Sequence, residues 1–172
     1  MSLYPYLLLP SLLLASMPAS ATSRMGAAAV VTEAGAPCFR IAQEEERSRG
    51  KTRLKRLFIS EQRPSDWETI WVVTFPNASP GDPDYQLPNN GCLRYGDVPA
   101  GVEASQAKAL QPGKTYSVGF MGRPPSASDP TSLYDAQFCV LADGAGGLRA
   151  VQLPRGERSR TDTSCEQHAV PK

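Results

Sequence analysis

Trp67-Glu68-Thr69-Ile70-Trp71-Val72-Val73-Thr74-Phe75 (WETIWVVTF) is the densest run of aromatic and β-branched residues in the chain. Side chains on a strand alternate between two faces. Trp67, Thr69, Trp71, Val73 and Phe75 are therefore expected on one side, with Ile70 and Val72 on the other. A run with apolar residues on both faces reads as a central strand of a sheet.

Working outward, the same period of two recurs in short segments. Thr115 to Met121 (TYSVGFM) places Tyr116, Val118 and Phe120 on one face, and Cys38 to Ala42 (CFRIA) alternates in the same manner. Ala27 to Thr32, Leu54 to Ser60, Cys92 to Gly96, Ala136 to Leu141 and Leu148 to Leu153 add further strands, and Asp143 to Gly147 (DGAGG) reads as a hairpin turn. Val102 to Leu110 is an edge segment or a weak helical turn. Gln43 to Arg53 (QEEERSRGKTR) carries charges of both signs and almost no apolar residue, so it reads as an exposed loop. Pro76 to Gly91 is a long Pro- and Gly-rich connection. Many short strands without a long helix define an all-β fold, with an immunoglobulin-like antiparallel β-sandwich as the expected architecture.

The first residues carry no charged side chain, run apolar from Leu7 to Leu14 and close on Ala19-Ser20-Ala21. This is the pattern of a signal peptide, residues 1–21, cut after Ala21. Its apolar run is shorter than the roughly 20 residues a spanning helix needs, so no membrane span is expected. No cysteine ends the run, so no lipid anchor is expected either. The β domain then occupies residues 22–153, followed by a polar tail, 154–172. Lys and Arg number 18 against 17 Asp and Glu, a balance that suggests neither nucleic acid nor an anionic surface as partner.

Cys38, Cys92, Cys139 and Cys165 in a chain sent to an oxidising compartment are expected as disulfides that staple the fold. Their wide spacing does not suggest a metal site, and no cofactor is expected. Four cysteines allow three pairings. Cys38 with Cys139 is the expected first bond, an early strand facing a late one across the core. Cys92 with Cys165 is the second, pinning the tail.

The chemistry-bearing residues are few. The one histidine, His168, lies in the polar tail, a poor place for a general base that must be held rigidly. Asp82 and Asp84 read as solvated loop acids rather than a glycosidase pair. Asn77-Ala78-Ser79 has the form of a glycosylation sequon, meaningful only in a eukaryotic secretory pathway. Trp67 and Trp71 have the shape of a sugar-stacking pair, with a buried aromatic row as the ordinary alternative. The chain is not expected to be an enzyme.

The order of features carries more information than any one of them. Pro37-Cys38-Phe39 is followed by Trp67 with Ile70-Trp71, then by Cys92-Leu93-Arg94-Tyr95-Gly96 with Pro99 and Gly101. Leu110, Pro112-Gly113-Lys114, Tyr116, Val118, Tyr134, Ala136 and Phe138-Cys139 complete it. This succession, from Pro37 to Val140, resembles the bacterial type VI secretion immunity periplasmic lipoproteins. The chain departs from them in lacking the lipoprotein cysteine and in its extra charged loop and tail. The resemblance implies a non-enzymatic periplasmic protein that binds and neutralises a protein toxin delivered by neighbouring cells. Tyr85, Tyr95 and Tyr134, in or beside Pro/Gly loops, are the candidate partner-binding residues, or else half-buried aromatics at strand ends. A secreted β-sandwich module that binds carbohydrate or cell envelope is the alternative, and a small hydrolase a third reading.

Overall fold

The computed structural model describes residues 24–76, 85–88, 91–144, 146–155 and 165. The expected signal peptide and its cut, the sequon, Asp82, Asp84 and His168 lie outside the described residues. The strands are β1 (Met25–Glu33), β2 (Ala36–Ile41), β3 (Arg53–Gln62), β4 (Trp67–Thr74), β5 (Leu93–Arg94), β6 (Glu103–Ala104), β7 (Thr115–Arg123), β8 (Leu133–Ala142) and β9 (Leu148–Gln152), with one helix, α1 (Gln43–Arg49).

The protein is all-β, as its alternation and turn residues predict. The nine described strands form one continuous sheet in the order β5-β2-β1-β8-β7-β3-β4-β6, with β9 joined to β8. In place of two separate facing sheets, this one curls into a half-barrel. Its pairings are antiparallel except β1 with β8, which run parallel from Met25 opposite Leu133 to Ala27 opposite Asp135. The concave side holds the core: Leu57, Ile59, Val73, Tyr116, Val118, Phe120 and Phe138 are fully buried there. The curl brings the two ends of the sheet together, because Tyr95, just after β5, packs its ring 5.0 Å from that of Trp71 on β4.

Beyond Ala27, β1 leaves β8 and β9 occupies the place beside β8. The seam between β1 and β9 is closed by side chains standing in for backbone. Gln152 Oε1 accepts from Val30 N at 2.8 Å, and its Nε2 donates to Ala28 O at 3.4 Å. Thr32 Oγ1 accepts from Ala150 N at 2.9 Å and donates to Ala150 O at 3.3 Å.

Three expectations change. β4 is not central, since only the two-residue β6 lies beyond it. Nor does its alternation run unbroken: Ile59 opposes Trp71 while Ser60 opposes Thr69, so Ile70 is an extra residue bulged out of the ladder. A bulge resets which face each side chain takes. Trp71, Val73 and Phe75 therefore enter the core, whereas Trp67 turns outward, 40% exposed.

The charged stretch after β2 is not a loop throughout, because residues 43–49 form α1. Its acids fall in the first turn and its arginines in the last, which complements the helix dipole. Glu45 is buried, held by Arg24 through two bonds of 2.9 Å and by the Ala27 N–H at 3.1 Å. A buried carboxylate is tolerated when its oxygens are satisfied in this way.

The disulfides are present but paired otherwise: Cys38 with Cys92 and Cys139 with Cys165, with Cα separations of 5.5 and 5.4 Å. Parity explains the correction. Phe39, Ile41, Phe138 and Val140 line the core, so the adjacent Cys38 and Cys139 point out of the other face of the sheet. They cannot meet across the interior. Cys38 lies opposite Arg94 on β5 and is within reach of Cys92, two residues before it. Cys139 forms a small cluster of its own with Leu153 and Cys165, where the Thr115 hydroxyl donates to Cys165 Sγ at 3.1 Å. Among the described residues, no helix is long and apolar enough to cross a membrane.

Candidate functional site

The three tyrosines singled out in the sequence serve packing. Tyr134 is 1% exposed, and its phenolic oxygen accepts from Thr52 Oγ1 at 3.0 Å. Its ring covers Gly26, where any Cβ would collide with it. Tyr134 thus offers nothing to a partner. Tyr95 is half-buried between Phe39 and Trp71, and its hydroxyl donates to Lys108 O at 2.6 Å. Tyr85 stacks on Phe75 at 4.4 Å, while its carbonyl accepts from Leu54 N. Burial raises the phenol pKa of all three.

A concavity lies instead at the far end of β1. It is a cleft of about 710 Å³, walled by Glu33 and Ala34 on one side and by residues 92–94 and 96–99 on the other. Each wall has a reason to be where it is. Glu33 pairs with Ala36, so Ala34 and Gly35 make a two-residue hairpin turn with φ of 48° and 73°. That turn matches strand twist only with both residues left-handed, a conformation glycine adopts freely and alanine does not. Ala34 is the one described residue other than glycine in that region. The opposite wall is fixed to β2 by the Cys38–Cys92 bond and stiffened where Arg94 Nε donates to Asp97 Oδ2 at 2.8 Å. Val98, 47% exposed, supplies an apolar contact on the rim.

Glu33 Oε2 lies 3.1 Å from Cys92 Sγ. Both cysteine sulfurs are bonded to each other and carry no proton, so this is a carboxylate resting against a disulfide and not a thiol hydrogen bond. The ligand atoms of Glu33, Cys38 and Cys92 fall within 4.8 Å of one another. The sulfurs would serve as metal ligands only as thiolates, which the bond precludes.

A second, smaller cleft of about 380 Å³ lies between α1 and the loop before β8. Arg49 Nη1 meets Asp129 Oδ2 there at 2.6 Å, and Asp129 Oδ1 accepts from the Thr131 hydroxyl and N–H at 2.7 and 3.0 Å. The Arg49 and Thr131 bonds hold the Asp129 carboxyl at about 2. Burial alone would raise Glu45, but its bonds from Arg24 and the Ala27 N–H outweigh this and lower it. Every carboxylate oxygen in this network has a partner, and together these bonds tie α1 to the start of β1 and to the loop before β8.

The sequence reading missed Glu33, Ala34, Arg94 and Val98. The Glu-Ala-Gly-Ala hairpin was the only signal that marked one wall. No family model matches the chain, and neither a curated protein nor a solved structure matches it.

Proposed function

We propose that this chain is an exported binding protein that neutralises a protein toxin delivered by a type VI secretion system, and that the cleft pinned by Cys38–Cys92 is where it grips. One observation carries the reading. Both walls of the cleft are held by bonds within the chain itself, one by a tight hairpin and the other by a disulfide and a surface ion pair. A preorganised site avoids the ordering loss that flexible loops suffer on binding. The order of residues from Pro37 to Val140, which resembles periplasmic immunity proteins, supplies the partner class. The two disulfides suit an oxidising compartment.

Deleting the gene should sensitise the cell to its siblings, and exported protein should restore protection. Val98→Asp with Arg94→Glu should abolish rescue while leaving circular dichroism unchanged. Full protection by a version lacking residues 1–21 and confined to the cytoplasm would defeat the periplasmic role.

Binding to envelope glycan is the second reading, and the outward turn of Trp67 favours it, because an exposed indole can stack on a sugar ring. Retention on peptidoglycan that disappears in Trp67→Ala would select it.

A further inference from the structure

The outer, convex face of the sheet carries a transverse row that neither the core nor the cleft uses. Met25 lies opposite Leu133, Leu133 opposite Met121, and Met121 opposite Arg56. Directly opposed residues point to the same side of a sheet. One step along, Tyr134, Phe120 and Leu57 are buried in the core, so this row points away from it. Met25 and Met121 are 45% and 44% exposed, the largest apolar exposures on these strands. In the next outward row, Phe58 lies across the bare backbone of Gly119 and extends the apolar surface.

The row is flanked by cations. Arg123 lies opposite Arg53 across β7 and β3, beside Arg56. Among the described residues, neither Arg56 nor Arg123 has an ion-pair partner. The nearest acid on the adjoining row, Asp135, is already engaged by Arg155 at 3.0 Å, and Glu103 closes the row beyond Thr74, two strands from Arg56.

We propose that this face is a docking surface for an acidic protein, one that presents carboxylates around an apolar contact. The guanidinium forks of Arg56 and Arg123 suit carboxylates, and methionine adapts its shape to an apolar neighbour. A second copy of this chain is disfavoured as the occupant, because a twofold contact lays the row on itself and gathers four guanidiniums, two each from Arg56 and Arg123, around only two Glu103 carboxylates. An anionic membrane is also disfavoured, since each basic residue adds only about fivefold to retention and two unpaired ones do not hold a protein there. The face lies about 26 Å along β1 from the cleft, and the proposal stands whether or not the chain neutralises a toxin.

The test uses the full chain with 13C-methyl methionine and a synthetic peptide of alternating Glu and Leu. The Met25 and Met121 methyl resonances should shift on titration, and more salt should weaken the effect. Arg56→Glu with Arg123→Glu should cut affinity at least about tenfold, equivalent to about 1.4 kcal/mol, with circular dichroism unchanged. Met121→Asp, which keeps both arginines, should also weaken binding. Methyls that stay still at saturating peptide, or equal affinity in the charge-reversed variant, would overturn the proposal. So would stronger binding to phosphatidylglycerol vesicles than to the peptide, or a dimer in sedimentation that Met121→Asp dissociates.

Discussion

The carboxylate of Glu33 rests 3.1 Å from Cys92 Sγ, with Cys38, the other half of the bond, fully buried behind it. A reducing thiolate must therefore approach the half-buried Cys92 sulfur past a negative charge and expel the fully buried one of Cys38. Glu33→Gln should speed reduction of Cys38–Cys92 by a small thiol about threefold to tenfold at neutral pH and low salt, and the gain should shrink as salt screens the charge. Reduction rates of the two proteins, followed by alkylation and mass mapping, check this. Equal rates would show that the carboxylate does not guard the bond.

Loss of the two disulfides should not be equivalent. They close segments with sequence separations of 54 and 26. Loop-closure entropy makes these worth about 4 and about 3.5 kcal/mol respectively. Cys38→Ala/Cys92→Ala should lower the denaturation midpoint slightly more and loosen the cleft. Cys139→Ala/Cys165→Ala should chiefly uncover Leu153, which packs with that bond, and speed proteolysis after β9. Denaturant titration and limited proteolysis separate the two effects.

Gln152→Ala removes the amide that joins β9 to the backbone of both Val30 and Ala28. Leaving buried backbone groups unpaired costs about 1 to 3 kcal/mol. The Val30 amide should exchange with solvent faster in the variant, while that of Val118 in the centre of the sheet should not. Unchanged protection at Val30 would show that the seam holds by other means.

Asp129 has a folded-state pKa of about 2, below the ordinary value of about 3.9. A depressed acid contributes stability that is fully present above its unfolded pKa and lost as pH falls through the folded value. Wild type should therefore exceed Asp129→Asn by a constant margin above about pH 4, and the margin should narrow between about pH 4 and pH 2. Glu45, also lowered, acts in the same direction. Unfolding midpoints measured across that range test the sign, and a margin that widens in acid would reverse it.

Alternation made the core of β7 legible: Tyr116, Val118 and Phe120 lie inside as the period of two requires. It misled at Trp67, because no residue type announces the bulge at Ile70 that turns Trp67 outward. The disulfide pairing was closer to hand. Cys38 precedes Phe39, and Cys139 sits between Phe138 and Val140, so each cysteine falls on the side opposite its core neighbours. Only a view of two sheets facing each other set them across the interior. α1 escaped notice because its helical face buries a single carboxylate whose partner, Arg24, is distant in sequence. The cleft was hardest to foresee, since its walls come from a hairpin and from a loop that only a disulfide brings beside it.

The parallel contact of β1 with β8 also bears on how the chain assembles. β1 sits between β2 and β8, yet its partner at Leu133 belongs to one of the last strands to be synthesised. Pairings between distant segments form slowly, because a large loop must close before any contact rewards it. The β1–β2 hairpin must therefore wait with an unpaired edge until nearly the whole sequence is present. Contact order thus makes this a slow folder, with its first strand completed last and an aggregation-prone edge open meanwhile.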